Sequence, residues 1–108
     1  MLTKDELPEC PVATTVRLIG NKWKLLIIRD LLEGERRFGE LKKSVSGISQ
    51  KVLSENLRAL ESDGIISREV FAEVPPRVLY SLTDVGRSLL PVIDAMADWG
   101  EAYRSLAY

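Results

Sequence analysis

The chain has 108 residues, 45% of them apolar and 29% charged, enough for one modest core, too little for two, and unlike a disordered tail or a fibre. Its 15 basic and 16 acidic residues leave a formal net charge of −1, so total charge points to no partner. With no histidine and a single cysteine, the chain cannot assemble a Ser-His-Asp or Cys-His nucleophile, an intrachain disulfide framework or the ligand set of a structural zinc site.

Residues 10–33 fit two helices. Pro11 suits a first helical position, where its missing N–H would be unpaired anyway, and Gly34 suits the residue that ends a helix. In the second helix Trp23, Leu26, Ile27 and Leu31 follow helical spacing, and Leu25, Ile28 and Leu32 widen the stripe. So much apolar surface belongs at the centre of a fold. Trp23 is therefore read as core in preference to a ligand platform.

Arg36 to Val45 reads as a short amphipathic helix carrying Phe38, Leu41 and Val45, followed by a tight turn at Ser46-Gly47-Ile48. Ser49 is the expected N-cap of the next helix. Ile48 and Leu53 stand at the two positions of a hydrophobic staple, which fixes the angle at which the chain enters. Leu53, Leu57 and Leu60 form its inward stripe until Asp63-Gly64. Two helices joined by a three-to-four-residue turn containing glycine predict a helix-turn-helix at about 38–63.

After Gly64 the period changes to 2. Ile66 to Phe71 and Val78 to Leu82 read as strands, and Pro75-Pro76 between them cannot donate ladder hydrogen bonds, which makes residues 72–77 the tip of a hairpin. The expected wing spans about 65–82. Thr83-Asp84 then caps a final helix at about 84–105, with Pro91 bending or restarting it. Its stripe of Val85, Leu89, Val92, Ile93, Met96, Trp99 and Tyr103 is generous for the last element of a small domain. It either folds back on its own core or packs against a second copy, and the second is the expectation.

Charge is distributed unevenly. Residues 36–58 hold six basic side chains (Arg36, Arg37, Lys42, Lys43, Lys51, Arg58) against two acidic ones (Glu40, Glu55), a local net charge of +4. Positive charge on the helix-turn-helix suits phosphate neutralisation and counterion release, although charged helix faces are also simply solvated. At 100° per residue, Lys51, Glu55 and Arg58 lie opposite the inward leucines, with Ser54 flanking. Ser49 and Gln50 at the helix start suit bases or phosphates, Lys51 and Arg58 suit guanine edges or phosphates, and Glu55 suits a cytosine amine or a basic neighbour.

Cys10-Pro11-Val12, Gly20-Asn-Lys-Trp-Lys-Leu-Leu-Ile, Arg37-Phe-Gly-Glu-Leu-Lys, Gly47-Ile-Ser-Gln-Lys-Val-Leu, Leu57-Arg-Ala-Leu-Glu-Ser-Asp-Gly, Val74-Pro-Pro-Arg-Val-Leu-Tyr-Ser-Leu-Thr, Gly86-Arg-Ser-Leu and Trp99-Gly100 occur in that order. With this set the chain resembles the HxlR family of bacterial winged helix-turn-helix regulators, relatives of the MarR type. The resemblance implies a mainly α fold with a small β-hairpin wing, one domain over 1–108, and a homodimer built from the terminal helices. Val12, Val16, Leu89, Ile93, Met96, Trp99 and Tyr103 are the candidate interface. It also implies two recognition helices in successive major grooves of a double-stranded operator. Arg37, Lys43, Ser49, Gln50, Lys51, Ser54, Glu55 and Arg58 are the candidate contacts, with Arg77 of the wing reaching backbone or minor groove. Some relatives sense electrophiles or oxidants through a cysteine near the N-terminus, a position that Cys10 matches.

Cys10 is expected to be the N-cap before Pro11, beside unpaired N–H groups at the positive end of a helix, where a thiol becomes reactive. The other reading is an inert small residue packed beside the first helix. The expected role of the whole chain is a transcriptional regulator, acting as a repressor. The alternative is a winged-helix protein–protein module, whose expected mark, a neutral or apolar recognition face, Lys51, Arg58 and Arg77 contradict. An enzyme lacks its residues: the seven glycines are isolated rather than gathered in a phosphate loop, and no metal or other cofactor is called for. The longest uninterrupted apolar run, Leu25 to Ile28, is far short of the roughly 18 residues that span a bilayer, and residues 1–9 hold no secretory apolar segment. The expected location is the cytoplasm, away from membranes, and the sequence names no small-molecule effector.

Overall fold

A computed structural model describes residues 1–107; Tyr108, the last residue of the expected domain, lies outside the described residues. After one 3-10 turn at Lys4–Glu6 come α1 (Pro11–Ile19), α2 (Lys22–Leu31), β1 (Arg36–Arg37), α3 (Phe38–Ser44), α4 (Gln50–Ser62), β2 (Ile66–Phe71), β3 (Arg77–Leu82), α5 (Asp84–Arg87) and α6 (Leu90–Arg104). The fold is mainly helical with a small antiparallel sheet of order β1-β3-β2. Its β2–β3 hairpin is the wing beside the helix-turn-helix of α3 and α4.

The core lies between α2, α3, α4 and the sheet. Ile27, Ile28, Leu41, Leu53 and Leu60 are fully enclosed, and Trp23 packs half-buried against them. Asn21 caps α2 by accepting from the Lys24 N–H at 2.8 Å. Its own amide donates to the Asn56 side chain at 3.2 Å, which joins the start of α2 to the middle of α4. Asp30 is the buried charged residue of this core. Its carboxylate accepts from Ser44 Oγ at 2.7 Å and from Arg29 Nε at 2.8 Å, satisfying a group that would be costly to bury alone. These bonds fix the C-terminal end of α3 against α2.

One feature differs from the sequence expectation, and one open choice is resolved. Arg36 and Arg37 form a strand, not the first turn of a helix: Arg36 lies opposite Tyr80, and Arg37 opposite Leu79. The reason is Glu40, whose carboxylate accepts from the Arg37 N–H at 2.8 Å and so starts α3 at Phe38. The stretch at 84–105, expected to bend or restart at Pro91, restarts there as a second helix. Ser88 and Leu89 separate α5 from α6, and Pro91 sits in the first turn of α6, where its missing N–H costs nothing.

Thr83 locks α5 to the wing. Its hydroxyl accepts from the Gly86 N–H at 3.1 Å and lies 2.6 Å from the Gly64 carbonyl, to which it donates. A β-carbon at Gly86 would stand 2.1 Å from the Ile65 carbonyl oxygen, so only glycine allows α5 to rest there. By contrast α6 has no buried residue and α1 has one, Ile19. The radius of gyration, 15.2 Å, exceeds the roughly 13 Å of a compact 100-residue chain, as expected of elements that extend beyond a core.

Candidate nucleic-acid interface

The helix-turn-helix turns at Gly47, whose φ of +85° is a left-handed value that suits glycine. Ser49 Oγ accepts from the Val52 N–H at 3.1 Å, capping α4 while its hydroxyl proton remains free to donate. Ile48 and Leu53 are both buried, completing the staple. With Leu53, Leu57 and Leu60 facing the core, Gln50, Lys51, Glu55 and Arg58 are exposed and Ser54 is half-buried. These five line a shallow depression of about 550 Å³ along the outward side of α4. Asn56 is turned away from it, donating to the Val52 carbonyl at 2.8 Å.

Arg37 and Lys43 are exposed at the two ends of α3. Arg77 is placed differently from an outstretched wing contact. Its guanidinium lies over the Phe71 ring at 4.1 Å from the centroid and 3.2 Å from the Glu73 carboxylate, while its Nε is buried without a hydrogen-bond partner. To reach a phosphate it must leave Phe71 and Glu73. Wing residues 72–76 are exposed, Val74 fully.

Sequence periodicity missed a group at the base of the wing. Arg68 and Tyr80 are directly opposite each other across β2 and β3 and, with Ser54, Leu57, Arg58 and Glu61, line a cleft of about 330 Å³ between α4 and the sheet. Burial pushes the Tyr80 hydroxyl pKa up, opposed by the charges of Arg68 and Arg58 and reinforced by Glu61. The hydroxyl therefore stays protonated at neutral pH. The cross-strand neighbours of a strand residue are set by register, which no local period reveals.

The candidate interface residues divide in two. Val12, Val16, Met96, Trp99 and Tyr103 are exposed, Trp99 at 69%, and Trp99 stacks on Tyr103 with centroids 5.3 Å apart. Leu89 and Ile93 instead pack half-buried against the core of their own chain. Cys10 is exposed at the N-cap of α1, its carbonyl accepting from the Thr14 N–H at 2.9 Å. Among the described residues no group of three or more acidic or cysteine side chains is placed to hold a metal ion, and no helix is long and apolar enough to cross a membrane.

Comparison with known proteins agrees with this geometry. The family model described as HxlR-like helix-turn-helix matches residues 18–108. The chain is 49% identical over 102 residues to the HTH-type transcriptional regulator YdeP of Bacillus subtilis, a match covering 94% of this chain and 80% of that protein. Among solved structures it is similar to the redox regulator HypR in its reduced form, with TM-score 0.86 and 43% identity over 90% of this chain and 96% of that one. Against the oxidised form the TM-score is 0.82 and the identity 45%, over 86% and 96% of the two chains.

Proposed function

Since the chain belongs to the HxlR-like helix-turn-helix family and is a DNA-binding transcriptional regulator, we propose that it represses transcription as a homodimer that reads its operator through the outward face of α4. The observation that carries this reading is the face itself: Gln50, Lys51, Ser54, Glu55 and Arg58 present donors, acceptors and net positive charge on a helix whose other side is locked into the core. Gln50, Lys51 and Arg58 suit base edges in a major groove, with Glu55 orienting a neighbour or accepting from cytosine. Ser49, Arg37 and Lys43 suit phosphates, which set register without reading sequence. The wing lies beside them, with Arg77 in reserve next to its tip.

The exposed side chains of α1 and α6 supply the dimer face, and a two-fold axis then presents two copies of α4 to half-sites about 34–36 Å apart. HypR is named a redox regulator, and Cys10, exposed at the start of a helix that joins the proposed dimer face, is the residue through which this chain takes an oxidant or electrophile signal. The test is selection of duplexes from a random library by the full chain, followed by binding titrations over a salt series. A palindromic consensus, affinity falling steeply with salt, and relaxed preference at one position in Arg58→Ala are expected. Recovery of no preferred duplex overturns this assignment of α4.

A further inference from the structure

The cleft between α4 and the wing sheet holds a set of polar groups that the fold does not use. Two guanidinium groups, Arg58 and Arg68, face one carboxylate, Glu61, with hydroxyls from Ser54 and Tyr80 at the sides and Leu57 at the floor. Arg58 makes no ion pair among the described residues. Arg68 has only the distant Glu61 carboxylate, 3.8 Å from its Nε, beyond hydrogen-bond range. No hydrogen bond engages the Tyr80 hydroxyl among the described residues. These donors converge on one cavity with a net positive charge, the complement of an oxyanion.

Position indicates which oxyanion. Ser54 and Arg58 line both this cleft and the outward depression of α4, so the two surfaces are continuous. A helix seated in a major groove has a phosphate backbone along each rim, and the flank of α4 that faces the wing meets one of them. We propose that this cleft seats one operator backbone phosphate, held by Arg68 and Tyr80 of the wing sheet together with Ser54 of α4, with Arg58 standing between this seat and the bases that α4 reads, an inference that rests on α4 being the DNA-reading helix. Glu61 occupies Arg68 loosely in the free protein, and the phosphate takes its place.

Glu61 makes the inference testable in both directions. With a duplex selected by the wild-type chain, Tyr80→Phe should weaken binding by about tenfold, the loss of one hydrogen bond to a charged group. Arg68→Ala should weaken it further and lower the slope of log K against log salt by about 0.9 per protomer. Arg68→Lys should keep the slope while losing part of the affinity. Glu61→Gln should tighten binding severalfold, and Glu69→Gln, on the opposite face of β2, should change it less. If Arg68→Ala does not fold, as judged by circular dichroism, Tyr80→Phe, Arg68→Lys and Glu61→Gln decide.

Wild-type binding unchanged by Tyr80→Phe, or Glu61→Gln no different from Glu69→Gln, overturns the seat and leaves α4 as the reading helix. Failure of the wild-type chain to select any duplex is the separate failure of the α4 assignment. Inorganic phosphate distinguishes the remaining source. Saturable sub-millimolar binding that shifts Arg68 and Tyr80 resonances and displaces DNA beyond the effect of ionic strength assigns the cleft to a free anion instead and overturns the phosphodiester seat. Weak, non-saturating shifts support it.

Discussion

The winged-helix body and the terminal helices both carry apolar side chains at helical spacing, but they spend them differently. In α2 and α4 the stripes end in one enclosed core, whereas α1 leaves Val12 and Val16 exposed and α6 leaves Met96, Trp99 and Tyr103 exposed. Single exposed apolar residues are ordinary, but a stripe repeated along a helix is the mark of a surface that meets a partner. The body is therefore complete within one chain, and the terminal helices are completed by the second copy that we propose. Amphipathicity tells that a face will be covered, and only the three-dimensional arrangement tells by whose atoms.

Two substitutions separate the regions. The larger expected effect is Leu53→Ala, because Leu53 is fully buried at the staple that fixes the entry of α4. Urea unfolding at fixed protein concentration should show a loss of about 2–5 kcal/mol. A loss near zero would mean that the body is not the autonomous core. Next is Trp99→Glu, which should weaken association by about 2–4 kcal/mol, since aromatic anchors dominate interfaces and a buried unpaired charge is poorly tolerated. Sedimentation at micromolar concentration should then find a folded monomer where the wild type is a dimer. A monomeric wild type sinks the proposed interface, and wholesale unfolding of Trp99→Glu breaks the division between body and terminal helices.

What was legible in the sequence follows the same division between local and distant causes. Ser49 as cap, Ile48 and Leu53 as staple, the inward leucines of α4 and the position of Pro75-Pro76 between two strands all depend on neighbours within one or two turns. They are legible for that reason. The strand at Arg36-Arg37 has two residues and thus no period to detect; its partners, Tyr80 and Leu79, lie more than forty positions away. The Asp30–Ser44 bond, the folding of Arg77 onto Phe71 and Glu73, and the meeting of Arg68 with Arg58 across a cleft are equally products of packing. Leu89 and Ile93 show the limit most clearly. They share a helical stripe with Met96 and Trp99, yet the first pair packs on its own chain and the second pair does not.

Cys10 gives the smallest expected effect on stability and the sharpest test of how the two regions communicate. The thiol is exposed at the start of α1, and the only buried residue of that helix, Ile19, lies at its far end. Replacing sulfur by oxygen there removes no packing, so Cys10→Ser should change unfolding free energy by less than about 0.5 kcal/mol. The thiol lies at the opposite end of α1 from Leu18 and Ile19, which reach the core, so a chemical change there is expected to act on the proposed dimer face, where α1 contributes Val12 and Val16. Two Cys10 residues joined across the dimer, which requires their Cα atoms to come within about 7 Å, or a thiol capped by a small adduct, would alter how the two copies of α4 are spaced. Diamide or a quinone should therefore shift duplex affinity in the wild type, leave Cys10→Ser unaffected, and leave the urea midpoint of the body nearly unmoved in both. If both proteins lose DNA binding alike, the signal enters elsewhere. If neither responds while mass spectrometry finds Cys10 modified, the dimer face absorbs the change without passing it to α4. An oxidant that lowers the urea midpoint of the wild type would show that a change at Cys10 is carried along α1 to Ile19 and the core, and the separation of the two regions would fall with it.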